Sequence, residues 1–217
     1  MNKQITPEQA ASKIQSGVTL MVGGFLANGS PLKILDLLSQ SDVKDLTLIC
    51  NDSAFPDKAY GKLIANKQVR KLITSHTGTN PAAIDLMNAG TMEVEFVPQG
   101  TLVERIRAAG AGLGGVLTPT GLGTLVENGK QKITVDGKEF LLEKPLRADF
   151  ALLGATLGDK SGNLIYKGTS QNMNPLMATA ADIVIAEIGE LVETGAFSPE
   201  AVHTPGIFVD FIVTTIR

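Results

Sequence analysis

The run Val18-Thr19-Leu20-Met21-Val22 ends in Gly23-Gly24, and after Phe25, Leu26, Ala27 and Asn28 a further glycine, Gly29, precedes Ser30-Pro31. Leu32-Lys33-Ile34-Leu35-Asp36-Leu37-Leu38 follows. This pattern predicts a buried strand, a glycine loop and a helix with proline in its first turn. Glycines let the main chain turn sharply and come close to a ligand, and free N–H groups at a helix start attract anionic or oxygen-rich groups. A strand, loop and helix of this kind at the carboxyl edge of a sheet is where open α/β proteins bind ligands. A tight turn that only packs strand on helix is the competing reading.

Other residues with chemical potential follow strand candidates. Asn51, after the apolar run at 46–49, could orient a carboxylate. Gln99 follows the strand candidate at 94–97 and precedes Gly100, where its side chain could cap a helix at Thr101. Cys50 ends a strand candidate and could be a nucleophile, but a small buried filler is the preferred reading. Glu127-Asn128-Gly129 presents a carboxylate on a turn, an arrangement open to covalent catalysis. The Asn-Gly pair lies between two strand candidates, however, so a solvated glutamate at a hairpin tip is expected.

Several motifs are discounted. Gly110-Ala111-Gly112-Leu113-Gly114-Gly115 fits GxGxxG but follows a helical stretch, whereas the dinucleotide fingerprint needs a strand before it and a helix after it. A flexible or closely packed loop is expected instead. His76 and His203 are the only histidines, and the chain has neither HExxH nor CxxC, so no metal site is expected. No GxSxG elbow marks a serine hydrolase.

The elements that must position these residues alternate. Strand candidates at 45–49, 71–74 and 94–97 are separated by helical stretches at 58–66, 81–89 and 102–109. Such alternation predicts an α/β fold with an open, mainly parallel sheet flanked by helices. The middle differs: short strands at 124–126, 131–135 and 138–142 are separated by Asn128-Gly129 and Asp136-Gly137, both strong hairpin signals. A β-meander inserted near 116–145 is the expectation. Beyond it come a strand candidate at 149–157, a helix at 175–181 and strands at 183–187 and 208–214. No repeat or linker divides the chain, so residues 1–217 read as a single domain.

Composition narrows the partners. The chain has 217 residues, 19 basic against 22 acidic side chains and a formal charge of −3. With no basic block, nucleic acid is not an expected partner. The apolar run around Leu20 is too short to span a bilayer, and no secretion-signal pattern opens the chain, so no membrane association is expected. A single cysteine excludes an internal disulfide and suits a reducing cytoplasm.

Gly23-Gly24-Phe25, three residues, Gly29, one residue and Pro31, preceded by apolar residues, resembles the first signature of the family I CoA-transferases. Ser16 departs from that signature, outside the glycine loop. The likeness to the family's α subunit continues through Asn51-Asp52, Ser75-His76, Gly78-Thr79-Asn80-Pro81 and Val97-Pro98-Gln99-Gly100-Thr101-Leu102. It runs on through Thr118-Pro119-Thr120-Gly121, Pro145-Leu146-Arg147-Ala148-Asp149, Gly162-Asn163-Leu164 and Thr204-Pro205-Gly206, so it covers essentially the whole chain in order. Within the family, the bacterial acetate or butyrate–acetoacetate type is the nearest in pattern.

The resemblance implies a CoA-transferase/Rossmann-like fold and half of an enzyme. The family nucleophile is a glutamate in Ser-Glu-Asn-Gly on the β subunit; here Glu127-Asn128-Gly129 follows Val126 and lies in the predicted meander. The resemblance therefore implies an α2β2 heterotetramer in which the partner's glutamate carries acyl and CoA groups in turn between acyl-CoA and a short-chain carboxylic acid. Coenzyme A would be a substrate, with no tightly bound cofactor. Gln99 would donate its side-chain N–H to an oxyanion hole, Gly23, Gly24, Phe25, Leu26, Ala27, Asn28 and Gly29 would line the CoA or acyl site through main-chain N–H groups, and Asn51 would assist. Glu104, Arg105 and Arg107 would form a charged helical face near the subunit boundary, with simple solvation as the alternative. Two other classes compete. One is a non-catalytic binding module or sugar-phosphate isomerase-like enzyme on a similar frame, which would need its own acid and base. The other is a structural subunit whose glycine loop only packs.

Overall fold

In the computed structural model, which describes residues 3–215, the predicted strand β1 (Thr19–Val22) is buried on both faces. Leu20 and Val22 point into one apolar layer and Met21 into the other. The same alternation holds in β2 (Leu46–Ile49), where Leu48 and Ile49 join opposite layers, and in β8 (Ala148–Asp159), where Leu152 opposes Ala151 and Leu153. A strand with apolar residues on successive positions is what a sheet covered on both sides requires.

Helices supply the covers. On one face α2 (Leu32–Ser39), α3 (Gly61–Ala65) and α4 (Pro81–Asn88) bury Ile34, Leu35, Leu38, Leu63, Ile64 and Ala83, with α1 (Pro7–Ala11) adding Ala10. On the other, α5 (Gln99–Gly110) and α6 (Asn174–Thr179) bury Leu102, Ile106, Met177 and Ala178. The remaining sheet strands are β3 (Val69–Thr74), β4 (Glu93–Phe96), β9 (Leu164–Ile165), β10 (Ala181–Val192) and β11 (Phe211–Thr214). Their order is β11-β10-β8-β1-β2-β3-β4, parallel throughout, with β9 antiparallel to β8. The chain runs outward from β1 to β4 and then returns to lay β8 against the other side of β1. The strand order thus reverses beside β1, the place in an open sheet where loops splay apart and leave a crevice.

The insertion is a separate antiparallel sheet of β5 (Val116–Thr118), β6 (Lys132–Val135) and β7 (Lys138–Glu143) in the order β5-β7-β6. Its central strand is the last in sequence. The Asp136-Gly137 signal is a true hairpin turn, with φ of 49° and 73° at the two residues. The strand expected at 124–126 is not one: Leu125–Glu127 forms a 3-10 turn because the Thr124 hydroxyl accepts the Val126 N–H at 3.2 Å. Asn128-Gly129 consequently joins a turn to β6 rather than two strands. Among the described residues no helix is long and apolar enough to cross a membrane.

Arg105 departs from the charged α5 face expected of it together with Glu104 and Arg107, and simple solvation does not describe it either. It is buried, and its guanidinium bonds Lys144 O at 2.8 Å and Glu95 Oε1 at 2.8 Å, tying α5 to the insertion and to edge strand β4. Glu104 and Arg107 do remain on the exposed side, paired one turn apart.

Candidate active site

The carboxyl ends of four successive strands deliver residues to one open cleft of about 380 Å³. After β1 come Phe25 and Leu26, after β2 Asn51 and Asp52, after β3 Ser75, His76 and Thr79, and after β4 Gln99. Two of the amides singled out in the sequence, Asn51 and Gln99, therefore meet, although 48 positions separate them.

Gln99 is the first residue of α5, with Pro98 before it in the capping position and no side-chain cap bond at that helix start. Pro98 starts the helix earlier than apolar spacing alone suggests, and this removes the capping role for Gln99. Its side chain instead donates from Nε2 to Asn51 Oδ1 at 2.6 Å. Asn51 is held firmly: its main-chain carbonyl accepts the Ser75 hydroxyl at 2.6 Å and the Ser75 N–H at 3.1 Å. Its Nδ2 donates to Asp52 Oδ2 at 2.9 Å. Beneath, the Asp52 carboxylate also accepts the Ala54 N–H at 2.7 Å and the Tyr60 hydroxyl at 2.8 Å. Burial, with Cys50 and Asp52 close by, pushes the Tyr60 phenol well above its ordinary range, so it serves here as a donor.

The glycine loop is more specialised than its glycines suggest. Phe25 and Asn28 exchange N–H···O bonds of 3.0 and 2.9 Å, closing a turn in which Leu26 (φ 48°) and Ala27 (φ 73°) are both left-handed. Turns of this form favour Asn-Gly or Gly-Gly, and a left-handed residue carrying a side chain costs about 1–2 kcal/mol. Asp52 offsets part of that strain by accepting the Leu26 N–H at 3.0 Å. At Gly23 a Cβ would land 1.6 Å from Asn174 Oδ1, which explains why the backbone there is bare.

Much of the loop's N–H capacity is used internally: Gly23 donates to Leu152 O and Ser30 to Ala27 O. What the loop gives the cleft is the Phe25 and Leu26 side chains, Phe25 being 42% exposed. Asn28 and Gly29 instead line a second depression of about 230 Å³, with Gly154 and Glu187. Gly23, Gly24 and Ala27 shape the backbone between. The helix start beyond the loop is also taken: Glu187, from β10, accepts the Lys33 and Ile34 N–H groups of α2 at 3.1 and 2.9 Å. Burial raises the Glu187 pKa against the pull of those bonds. The expected free N–H groups of α2 are thus filled by the chain's own carboxylate.

The other candidates fall outside this cluster. Cys50 is fully buried under the sheet edge, and burial raises its thiol well above the usual range, which fits packing rather than nucleophilic attack. His203 accepts the Tyr166 N–H at 3.0 Å and stacks on that ring. The GxGxxG run follows α5 and leads into β5, so the strand and helix of a dinucleotide site are missing around it. Glu127 accepts the Gly123 N–H at 2.7 Å and pairs with Lys132 at 2.7 Å, which together hold its pKa below the ordinary glutamate value. It is a turn-closing carboxylate on the insertion, not a hairpin-tip residue. Glu127→Ala is therefore expected to leave turnover within a few-fold of the parent enzyme, and a drop beyond tenfold in steady-state rate at unchanged assembly would contradict this.

Sequence reasoning passed over Asp52, Ser75, His76 and Thr79 as site residues. Each lies just beyond a strand's carboxyl end, the same signal that marked Asn51 and Gln99.

A family profile described as Coenzyme A transferase matches residues 4–215. The acetate CoA-transferase subunit alpha of Escherichia coli K12 is 53% identical over 213 residues, covering 98% of this chain and 97% of that one. The acetoacetyl-CoA:acetate/butyrate CoA transferase alpha subunit of Clostridium acetobutylicum is 50% identical, covering 98% and 97%. The crystal structure of glutaconate coenzyme A-transferase from Acidaminococcus fermentans shares the fold, with a TM-score of 0.85 at 20% identity over 98% of this chain and 75% of that one.

Proposed function

The chain belongs to the coenzyme A transferase family, in its α-subunit branch, and on that footing we propose that it pairs with a β subunit carrying a nucleophilic glutamate to move CoA between short-chain acids. The donors are short-chain acyl-CoA thioesters such as acetyl-, butyryl- or succinyl-CoA, and the acceptors are acetoacetate or a short-chain fatty acid. Coenzyme A enters as substrate, no tightly held cofactor takes part, and the assembly is an α2β2 heterotetramer working in the cytoplasm.

The partner's carboxylate attacks the thioester carbonyl, expels the CoA thiolate and forms an acyl-glutamyl anhydride. The thiolate then attacks the glutamyl carbonyl, releasing the first acid and leaving a glutamyl-CoA thioester. The acceptor carboxylate displaces the thiolate to give a new anhydride, and the thiolate takes the new acyl group while the glutamate is regenerated. Every step passes through a tetrahedral oxyanion, so a donor already aimed at that oxygen supplies much of the acceleration.

The observation that carries this reading is the Gln99 amide, held by Asn51 at 2.6 Å at the mouth of a cleft whose own residues include no poised nucleophile–base pair. One Nε2 hydrogen is used on Asn51, and the second is the oxyanion donor. Phe25 and Leu26 provide the apolar wall for a short acyl chain. The sugar-phosphate isomerase and packing-only readings gain support from neither the relatives nor the cleft. The test is initial-rate kinetics of the reconstituted two-chain enzyme with acetyl-CoA and acetoacetate. Parallel double-reciprocal lines are expected; intersecting lines would mean a ternary complex and contradict a covalent relay.

A further inference from the structure

We infer that Asp52 is a positioning residue that sets, through Asn51, which end of the Gln99 amide faces the reacting oxygen, an inference resting on the oxyanion role proposed above for Gln99. The two ends of a glutamine amide are nearly equal in size, so packing alone does not choose between them. Hydrogen-bond polarity does. Asp52 is 2% exposed and accepts at both oxygens: the Leu26 N–H and Asn51 Nδ2 at one, the Ala54 N–H and Tyr60 hydroxyl at the other.

The consequences pass outward one amide at a time. Facing an acceptor, Asn51 must turn its NH2 inward, and this points its Oδ1 at Gln99. An amide oxygen only accepts, so Gln99 must meet it with Nε2, as found at 2.6 Å. The second Nε2 hydrogen then becomes a free donor beside Asn51. In the reverse orientation Gln99 Oε1 would press against Asn51 Oδ1, two acceptors in contact, and the spot would repel an oxyanion instead of binding it. Asp52 also ties this relay to the strained turn through the Leu26 N–H, so one buried carboxylate holds both the loop and the donor in place.

Asp52→Asn breaks the rule that everything around the side chain must donate. The asparagine can keep its oxygen toward Asn51, leaving the Ala54 N–H facing an NH2. Alternatively it turns its NH2 toward Asn51, which then flips and flips Gln99 in turn. In the reconstituted two-chain enzyme, Asp52→Asn is expected to lower kcat roughly 10- to 100-fold with KM changed far less, part of the loss caused by removing an oxyanion donor outright. The decisive measurement is the double variant. With Gln99→Ala already in place there is no amide to orient, so adding Asp52→Asn should slow kcat by no more than about threefold further.

If kcat of Asp52→Asn is near parental while Gln99→Ala is slow, the positioning role is wrong and the Gln99 assignment stands. Losses that multiply in the double variant would reduce Asp52 to a structural support and also overturn the inference. A near-parental Gln99→Ala would instead remove the oxyanion assignment on which the relay depends. Should Asp52→Asn fail to assemble, Asn51→Ala interrupts the same relay while keeping the other donors to Asp52. It must show the same non-additivity with Gln99→Ala, and multiplying losses there overturn the inference equally.

Discussion

Gln99→Ala is expected to cut kcat of the reconstituted enzyme roughly 10²–10³-fold, the usual cost of one missing oxyanion donor. Its melting temperature and its assembly with the partner should change little. The reason lies at the start of α5, where Pro98 holds the capping position and the Gln99 side chain plays no part in capping the helix. Its side chain donates to Asn51, and losing that bond costs on the order of 1 kcal/mol at a site already open to the cleft. The loss of rate should appear in both half-reactions, because each forms its tetrahedral oxyanion at the same place. Single-turnover measurement of glutamyl-CoA formation and of its discharge by acetoacetate would separate the two. A normal kcat with a lowered melting temperature would hand Gln99 back to the helix and leave the oxyanion to the glycine loop and the partner.

The parts of the molecule legible in the sequence are those governed by local pattern. Strands β1 and β2 show up as apolar runs because a parallel sheet buried on both faces needs them, whereas edge strand β4 alternates Glu93 and Glu95 with Val94 and Phe96, and Gly23, Gly24 and Pro31 punctuate the first crossover. Gln99 and Asn51 could be placed at strand ends for the same reason. The contact between them could not, since it depends on β1 to β4 lying side by side.

Polarity across that contact was equally hidden. Asp52 reads as one more loop aspartate until Leu26, Asn51, Ala54 and Tyr60 are seen to converge on it. Leu26 and Ala27 mislead in another way: left-handed backbone is anticipated at glycine, and here tertiary bonds impose it on residues with side chains. The strand expected at 124–126 failed because the Thr124 hydroxyl captures a main-chain N–H and closes a 3-10 turn, a bond that propensity does not weigh. Arg105 reads as part of a charged α5 face because local pattern does not show its two partners, Glu95 on the strand just before the helix and the Lys144 carbonyl 39 positions further on.

A second large effect follows from what this chain lacks. Three of its glutamates are committed elsewhere: Glu127 to a turn and Lys132, Glu187 to the start of α2, and Glu143 to Lys130 within the insertion. None of the three lines the cleft beside Gln99. The purified chain should therefore exchange no CoA between succinyl- or acetyl-CoA and acetoacetate or butyrate, and mixing it with the β partner should restore turnover from that baseline. The most direct measurement is to incubate the assembled enzyme with acetyl-CoA, trap the covalent intermediate with borohydride or hydroxylamine, and weigh both chains by intact-mass spectrometry. The modification should fall on a glutamate of the partner chain and leave this one at its native mass. A trapped adduct on this chain, at Glu127 or any other carboxylate, would contradict the two-chain account.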